Sequence, residues 1–123
     1  MSKIESHRDL LVWQKAMDLT VEVYRLTKSF PPVETYRLTG QVTRAAASVP
    51  ANIAEGNARG TRRDYASFLA VAKGSLMETE TFVMLAVRLG YLSQAEADPS
   101  LMLVTEISKM LTALRSRLLS SPG

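Results

Sequence analysis

From Val12 onward the apolar residues return at alternating spacings of four and three: Val12, Ala16, Leu19, Val23, Leu26 and Phe30. That rhythm is the buried seam of an amphipathic helix. Lys15, Asp18, Glu22 and Arg25 keep the same rhythm on the far side and are expected to face water. A second apolar stripe, Trp13, Met17, Val21 and Tyr24, lies roughly 120° round from the first, at ~100° per residue. The pattern predicts a first helix over about 9–29, stopped by Phe30-Pro31-Pro32 because proline disfavours helical geometry in the residue before it. A second helix is predicted over about 35–57, with Tyr36, Leu38, Val42 and Ala45 in its first half. A third, over about 62–89, carries Tyr65, Leu69, Ala72, Leu76, Val83 and Ala86 on one seam, with Phe68, Val71, Phe82, Leu85 and Leu89 beside it.

The boundaries carry their own signals. Thr61 with Asp64 three residues on resembles a capping box in which Asp replaces the usual Glu. Gly90 is placed to supply a left-handed C-terminal cap. Ser93 and Glu96 form another capping-box pattern, but Pro99 follows closely, so the expectation is a short turn at 94–97. Asp98 would then cap a last helix over about 99–119 with Pro99 at its first position. That helix uses Val104, Ile107, Leu111, Leu114 and Leu118, and "SSPG" reads as a frayed tail. There is no strand pattern, internal repeat or low-complexity tract. Four helices with short connections predict an all-α, antiparallel up-down four-helix bundle occupying 1–123 as one domain.

Pro50 sits inside the second helix. It has no N–H, so the Ala46 carbonyl loses its intrahelical donor, and the ring crowds that carbonyl. A kink is the expected result, with Ser48 positioned to lend a hydroxyl to the disturbed turn. Small residues around it, alanines at 45, 46, 47, 51, 54 and 58 with Gly56, let another helix approach closely. Asn52 and Glu55 share one face and are expected to hydrogen-bond each other, backbone at the kink or another subunit; the pair reads as structural. The apolar faces are wide. Each bundle helix touches two neighbours, which uses some of that surface, and the remainder favours oligomerisation, with Trp13, Met17, Tyr24, Phe82 and Met84 as the interface candidates.

The chain of 123 residues, 46% of them hydrophobic, is long enough for one cored domain. It has no cysteine, which excludes disulfides and cysteine zinc sites and fits a reducing, cytoplasmic setting. The longest apolar run, Phe82 to Val87, is too short to cross a membrane, and the opening "MSKIESHRDLLVWQK" lacks a signal-peptide core. Formal net charge is +3 and is concentrated in the middle third, where Arg37, Arg44, Arg59, Arg62, Arg63 and Lys73 stand against Glu55 and Asp64. Arg59, Arg62 and Arg63 flank a predicted helix N-terminus, which already carries partial positive charge. Two readings stay open. Guanidinium groups and free N–H groups converge on a phosphate, or the long side chains bend into water and pair with Asp64, Glu55 or another subunit. An enzyme is not expected. The one histidine, His7, has no evident partner and reads as a surface residue, and there is no glycine-rich phosphate loop and no HExxH. No cofactor or metal is implied.

"SVPANIAEGNARG", "YASFLAVAKGSLMETET" and "RLGYLS", with the opening "LLVWQKAMDLTVEVYRLTKSFPPVETYRLTGQVTRAA", resemble a family of small four-helix bundle proteins encoded in intervening sequences of bacterial 23S rRNA genes. The resemblance extends to the accessory variability determinant of diversity-generating retroelements and covers about residues 10–93. It implies a four-helix bundle assembled as a homopentamer. For the retroelement branch it implies nucleic-acid binding, to RNA or DNA, and a reverse-transcriptase partner. Members of that branch tend to be strongly basic, and +3 is weakly so. Carried onto this chain, the expectation is a cytoplasmic, non-enzymatic accessory protein. Arg44, Arg59, Arg62, Arg63 and Lys73 would form a basic ring on the phosphate backbone, with Ser48, Pro50, Asn52, Glu55 and Gly56 as the structural motif. Five copies would raise the effective concentration of each weak cluster. The alternative is an oligomeric scaffold that docks a protein and never touches nucleic acid.

Overall fold

The computed structural model describes residues 6–120. Four α-helices follow one another: α1 (Leu11–Leu26), α2 (Leu38–Asn57), α3 (Arg62–Arg88) and α4 (Gln94–Ser120). Single 3-10 turns precede α1 (His7–Asp9), extend it (Thr27–Ser29) and precede α2 (Pro32–Glu34). Each helix packs on the next and α4 closes the ring on α1, giving an up-down bundle. No strand occurs among the described residues. Past Ser120, the expected frayed tail lies outside them.

The core is the predicted seam. Val12, Ala16, Leu19, Val23, Leu26 and Phe30 are all buried, as are Leu69, Ala72, Leu76, Val83 and Ala86 on α3. On α4, Val104, Ile107 and Leu111 are buried while Leu114 and Leu118 pack only partly against the core. That weakening follows from length. At 1.5 Å per residue, the 16 residues of α1 span about 24 Å and the 27 of α4 about 40 Å. The last turns of α4 outrun α1 and rest on α3.

Caps decide the boundaries. Gly90 has φ +81° and ends α3 in a Schellman arrangement: Tyr91 N–H donates to Ala86 and Gly90 N–H to Val87. Thr61 Oγ1 accepts the Asp64 N–H at 3.1 Å and starts α3. The start of α4 departs from expectation. The helix begins at Gln94, not at Pro99, because the Ser93–Glu96 box is fully made: the Glu96 N–H donates to Ser93 Oγ at 3.0 Å, and Ser93 N–H to the Glu96 carboxylate at 2.8 Å. Pro99 is tolerated inside because the carbonyl it deprives belongs to exposed Ala95, which water can serve.

Helix α2 runs continuously through buried Pro50. The Ala46 carbonyl that Pro50 leaves open is taken by Thr20 of α1, whose hydroxyl is shared between Ala46 at 3.1 Å and its own Ala16 carbonyl at 2.8 Å. Ser48 does not serve that turn. It faces α3, where its hydroxyl meets Ser75 at 2.9 Å, and it receives the Asn52 amide at 2.9 Å. Of the expected partners Asn52 takes backbone at the Pro50 turn, donating to the Ser48 carbonyl at 2.8 Å, while Glu55 pairs with Arg59 and no Asn52–Glu55 bond forms. Gly56 explains the close approach of α2 to α3. A Cβ there would stand 2.8 Å from the Phe68 Cβ and 3.0 Å from the Tyr65 ring.

Candidate nucleic-acid interface

The bundle topology puts the start of α1, the α2–α3 turn and the end of α4 at one end. Divided at the helix midpoints, that half (6–18, 48–75 and 107–120) holds Arg8, Lys15, Arg59, Arg62, Arg63, Lys73, Lys109, Arg115 and Arg117 against Asp9, Asp18, Glu55 and Asp64. The other half of the described chain holds Arg25, Lys28, Arg37, Arg44 and Arg88 against Glu22, Glu34, Glu78, Glu80, Glu96, Asp98 and Glu106. The basic excess therefore belongs to an end of the bundle, contributed by the stretch around the α2–α3 turn and by the end of α4, while the start of α1 is charge-balanced.

Within that end the cations differ. Arg59 is held: its guanidinium lies 4.7 Å from the Phe68 ring centroid and 3.4 Å from the Glu55 carboxylate. Arg62 and Arg63 open α3, are exposed, and make no ion pair with the described residues. Two unpaired cations at the positive end of a helix repel it and each other, so an anion there relieves both. Lys73 faces α4, where its Nζ donates to Thr112 Oγ1 at 2.7 Å. It shares a cleft with Arg115, whose Nε donates to the Ala66 carbonyl at 3.1 Å. Arg115 was not among the sequence candidates; its only signal is that an antiparallel α4 brings its last turns back beside the start of α3.

Arg44 stands apart. It is fifteen residues before Arg59, about 22 Å along the helix axis, and lines a separate hollow with Gln41, Ser48, Ser75, Glu78 and Phe82. Of the interface candidates, Met17, Tyr24 and Met84 are exposed. Trp13 and Phe82 are partly buried against the core. His7, expected to be without a partner, stacks edge-on against Trp13 with ring centroids 5.0 Å apart.

The perturbed titrations are structural. Burial pushes the Tyr65 phenol up, against a hydrogen bond from Asn57 that lowers it. Tyr91 is raised, first by donating to the Glu34 carboxylate. Glu96 is lowered, first by the Ser93 N–H it accepts. Among the described residues no group of His, Asp and Glu side chains is placed to hold a metal ion, and no helix is long and apolar enough to cross a membrane.

Comparison with known proteins adds the family. The model for the 23S rRNA-intervening sequence protein matches residues 8–113. No curated protein matches the sequence. The crystal structure of a protein of unknown function from the S23 ribosomal protein family of Bacteroides thetaiotaomicron VPI-5482 superimposes with a TM-score of 0.77. It is 24% identical over 85% of this chain and 98% of that one, a likeness of fold.

Proposed function

The chain belongs to the 23S rRNA-intervening sequence protein family, and from that premise we propose that it is a non-enzymatic, oligomeric accessory protein of the cytoplasm that binds the phosphate backbone of RNA or DNA through its basic end. The observation that carries this reading is the exposed, unpaired Arg62 and Arg63 at an end where nine cations stand against four carboxylates and Glu106, which pairs with Lys15 at its boundary. Arg59 adds a guanidinium already oriented by Phe68. Lys73 and Arg44 contribute less directly, since one faces α4 and the other lies toward the opposite end. Self-association, to the homopentamer implied by the family resemblance, is supported by exposed Met17, Val21 and Tyr24 on α1, and by Met84 on α3. A bend of α2 at Pro50 belongs to this reading, as the shape that fits one copy against the next. Five copies then present five basic ends to one polyanion.

Binding of this type is salt-sensitive and poor in sequence preference. Fluorescence anisotropy with a labelled mixed-sequence RNA or DNA tests it. Three phosphate contacts on a single strand predict an affinity loss of about 20-fold between 50 and 200 mM salt. The triple change Arg59→Ala, Arg62→Ala and Arg63→Ala removes that dependence. No binding at low salt eliminates the nucleic-acid role. The exposed apolar stripe on α1 then favours the second reading, an oligomer that docks a protein partner, a reverse transcriptase among the candidates.

A further inference from the structure

Between the start of α3 and the end of α4 lies a cleft of about 520 Å³ with a mixed lining. Leu69, Ala70, Leu111 and Leu119 form its apolar surface, and Thr112, Ser116 and Ser120 contribute hydroxyls. Lys73 and Arg115 complete it, and among the described residues no carboxylate lines it. The two cations are braced from behind: Lys73 by Thr112 and Arg115 by the Ala66 carbonyl. Each spends one donor on its brace, so among the described residues two Nζ hydrogens and both terminal guanidinium NH2 groups have no further partner. The cleft exists because α4 outruns α1 here, and because Ala66 and Ala70 present little bulk toward α4. Leu119 is left 52% exposed at its rim.

We propose that this cleft binds a small amphipathic anion, with a carboxylate or phosphate monoester head held between Lys73 and Arg115 and an aliphatic body lying on Leu69, Leu111 and Leu119. The volume is that of an ordinary small-ligand site. Among the described residues the lining holds no aromatic ring to stack a nucleobase, and its apolar surface is complementary to an alkyl chain. Arg62 and Arg63, on which the nucleic-acid reading chiefly rests, do not line the cleft, while Lys73 and Arg115 belong to both.

The test is titration of the ¹⁵N-labelled full chain with sodium octanoate and with octyl phosphate below their micelle concentrations. Octanol and inorganic phosphate supply each half of the ligand alone. The expected result is saturable shifts of the Lys73, Thr112, Arg115 and Ser116 amides with both acids, at least tenfold weaker for octanol and for phosphate. The tighter of the two acids identifies the head group. Lys73→Met and Arg115→Met each weaken octanoate binding tenfold or more with an unchanged melting temperature, and Ala70→Leu, which fills the cleft, abolishes it. Arg88→Met, at the far end of α3, leaves it within twofold. Octanol binding as tightly as octanoate, undiminished binding by Lys73→Met and Arg115→Met, or shifts confined to Met17 and Tyr24 each overturn the proposal.

Discussion

The seams that α2 makes and the seam between α3 and α4 are built on opposite principles. Against α3, α2 presents Gly56 and Ser48, so backbone and short side chains meet directly. Against α1, the carbonyl freed by Pro50 is filled by Thr20. These contacts close the half of α2 that follows Ala46, while its first half leaves against α3 the hollow that Arg44 lines. Between α3 and α4 the second half of the seam opens, two cations are braced at its walls, and a cavity remains. The tight seams account for the distinctive glycine and proline of the sequence. The open one uses residues that looked ordinary there.

The largest effect expected from this contrast is at Gly56. Gly56→Leu drives a side chain into Phe68 and Tyr65 and should destabilise the fold by about 3 kcal/mol or more, read by urea denaturation. A loss below about 1 kcal/mol would mean that α2 and α3 part easily and that the contrast is overstated. Thr20→Val comes next. It removes the donor to Ala46 and should cost about 1 kcal/mol. In a Pro50→Ala background the restored N–H serves that carbonyl, so the penalty should shrink. Equal penalties in both backgrounds would separate Thr20 from the proline. Gly74, on α3 with nothing within 4 Å of an added Cβ, is the counterpart of Gly56. Gly74→Ala should raise stability by about 0.5–1 kcal/mol through helix propensity alone.

The smallest effect concerns the start of α4. The Glu96 carboxylate is held below its ordinary value of 4.5 by the Ser93 N–H. Its contribution is therefore complete above that ordinary value and is lost as pH falls through the lowered one. The difference in melting temperature between the protein and Glu96→Gln should be present at neutral pH and vanish in strong acid. A difference that persists there would remove the capping box as the reason α4 begins at Gln94.

The sequence determined the parts whose cause is local. Apolar spacing on α1 and α3 marked the buried seams, and Gly90 marked its cap, because helix periodicity and a left-handed residue act within a few positions. The Ser93–Glu96 box was visible too, but local rules set it against Pro99, and the completed pair of hydrogen bonds decided in its favour. What only the tertiary structure decided joins residues far apart in the chain. Thr20 reaches Ala46, Ser48 reaches Ser75, and Arg115 returns to Ala66 across the antiparallel turn of the bundle. Charge behaved the same way. The basic middle third became a basic end once α4 added Lys109, Arg115 and Arg117 to it, and Arg44 was separated from the rest by the rise of its own helix. Periodicity specifies which face of a helix turns inward. Which residue it meets there depends on helix lengths and register, and those emerge only when all four helices are packed together.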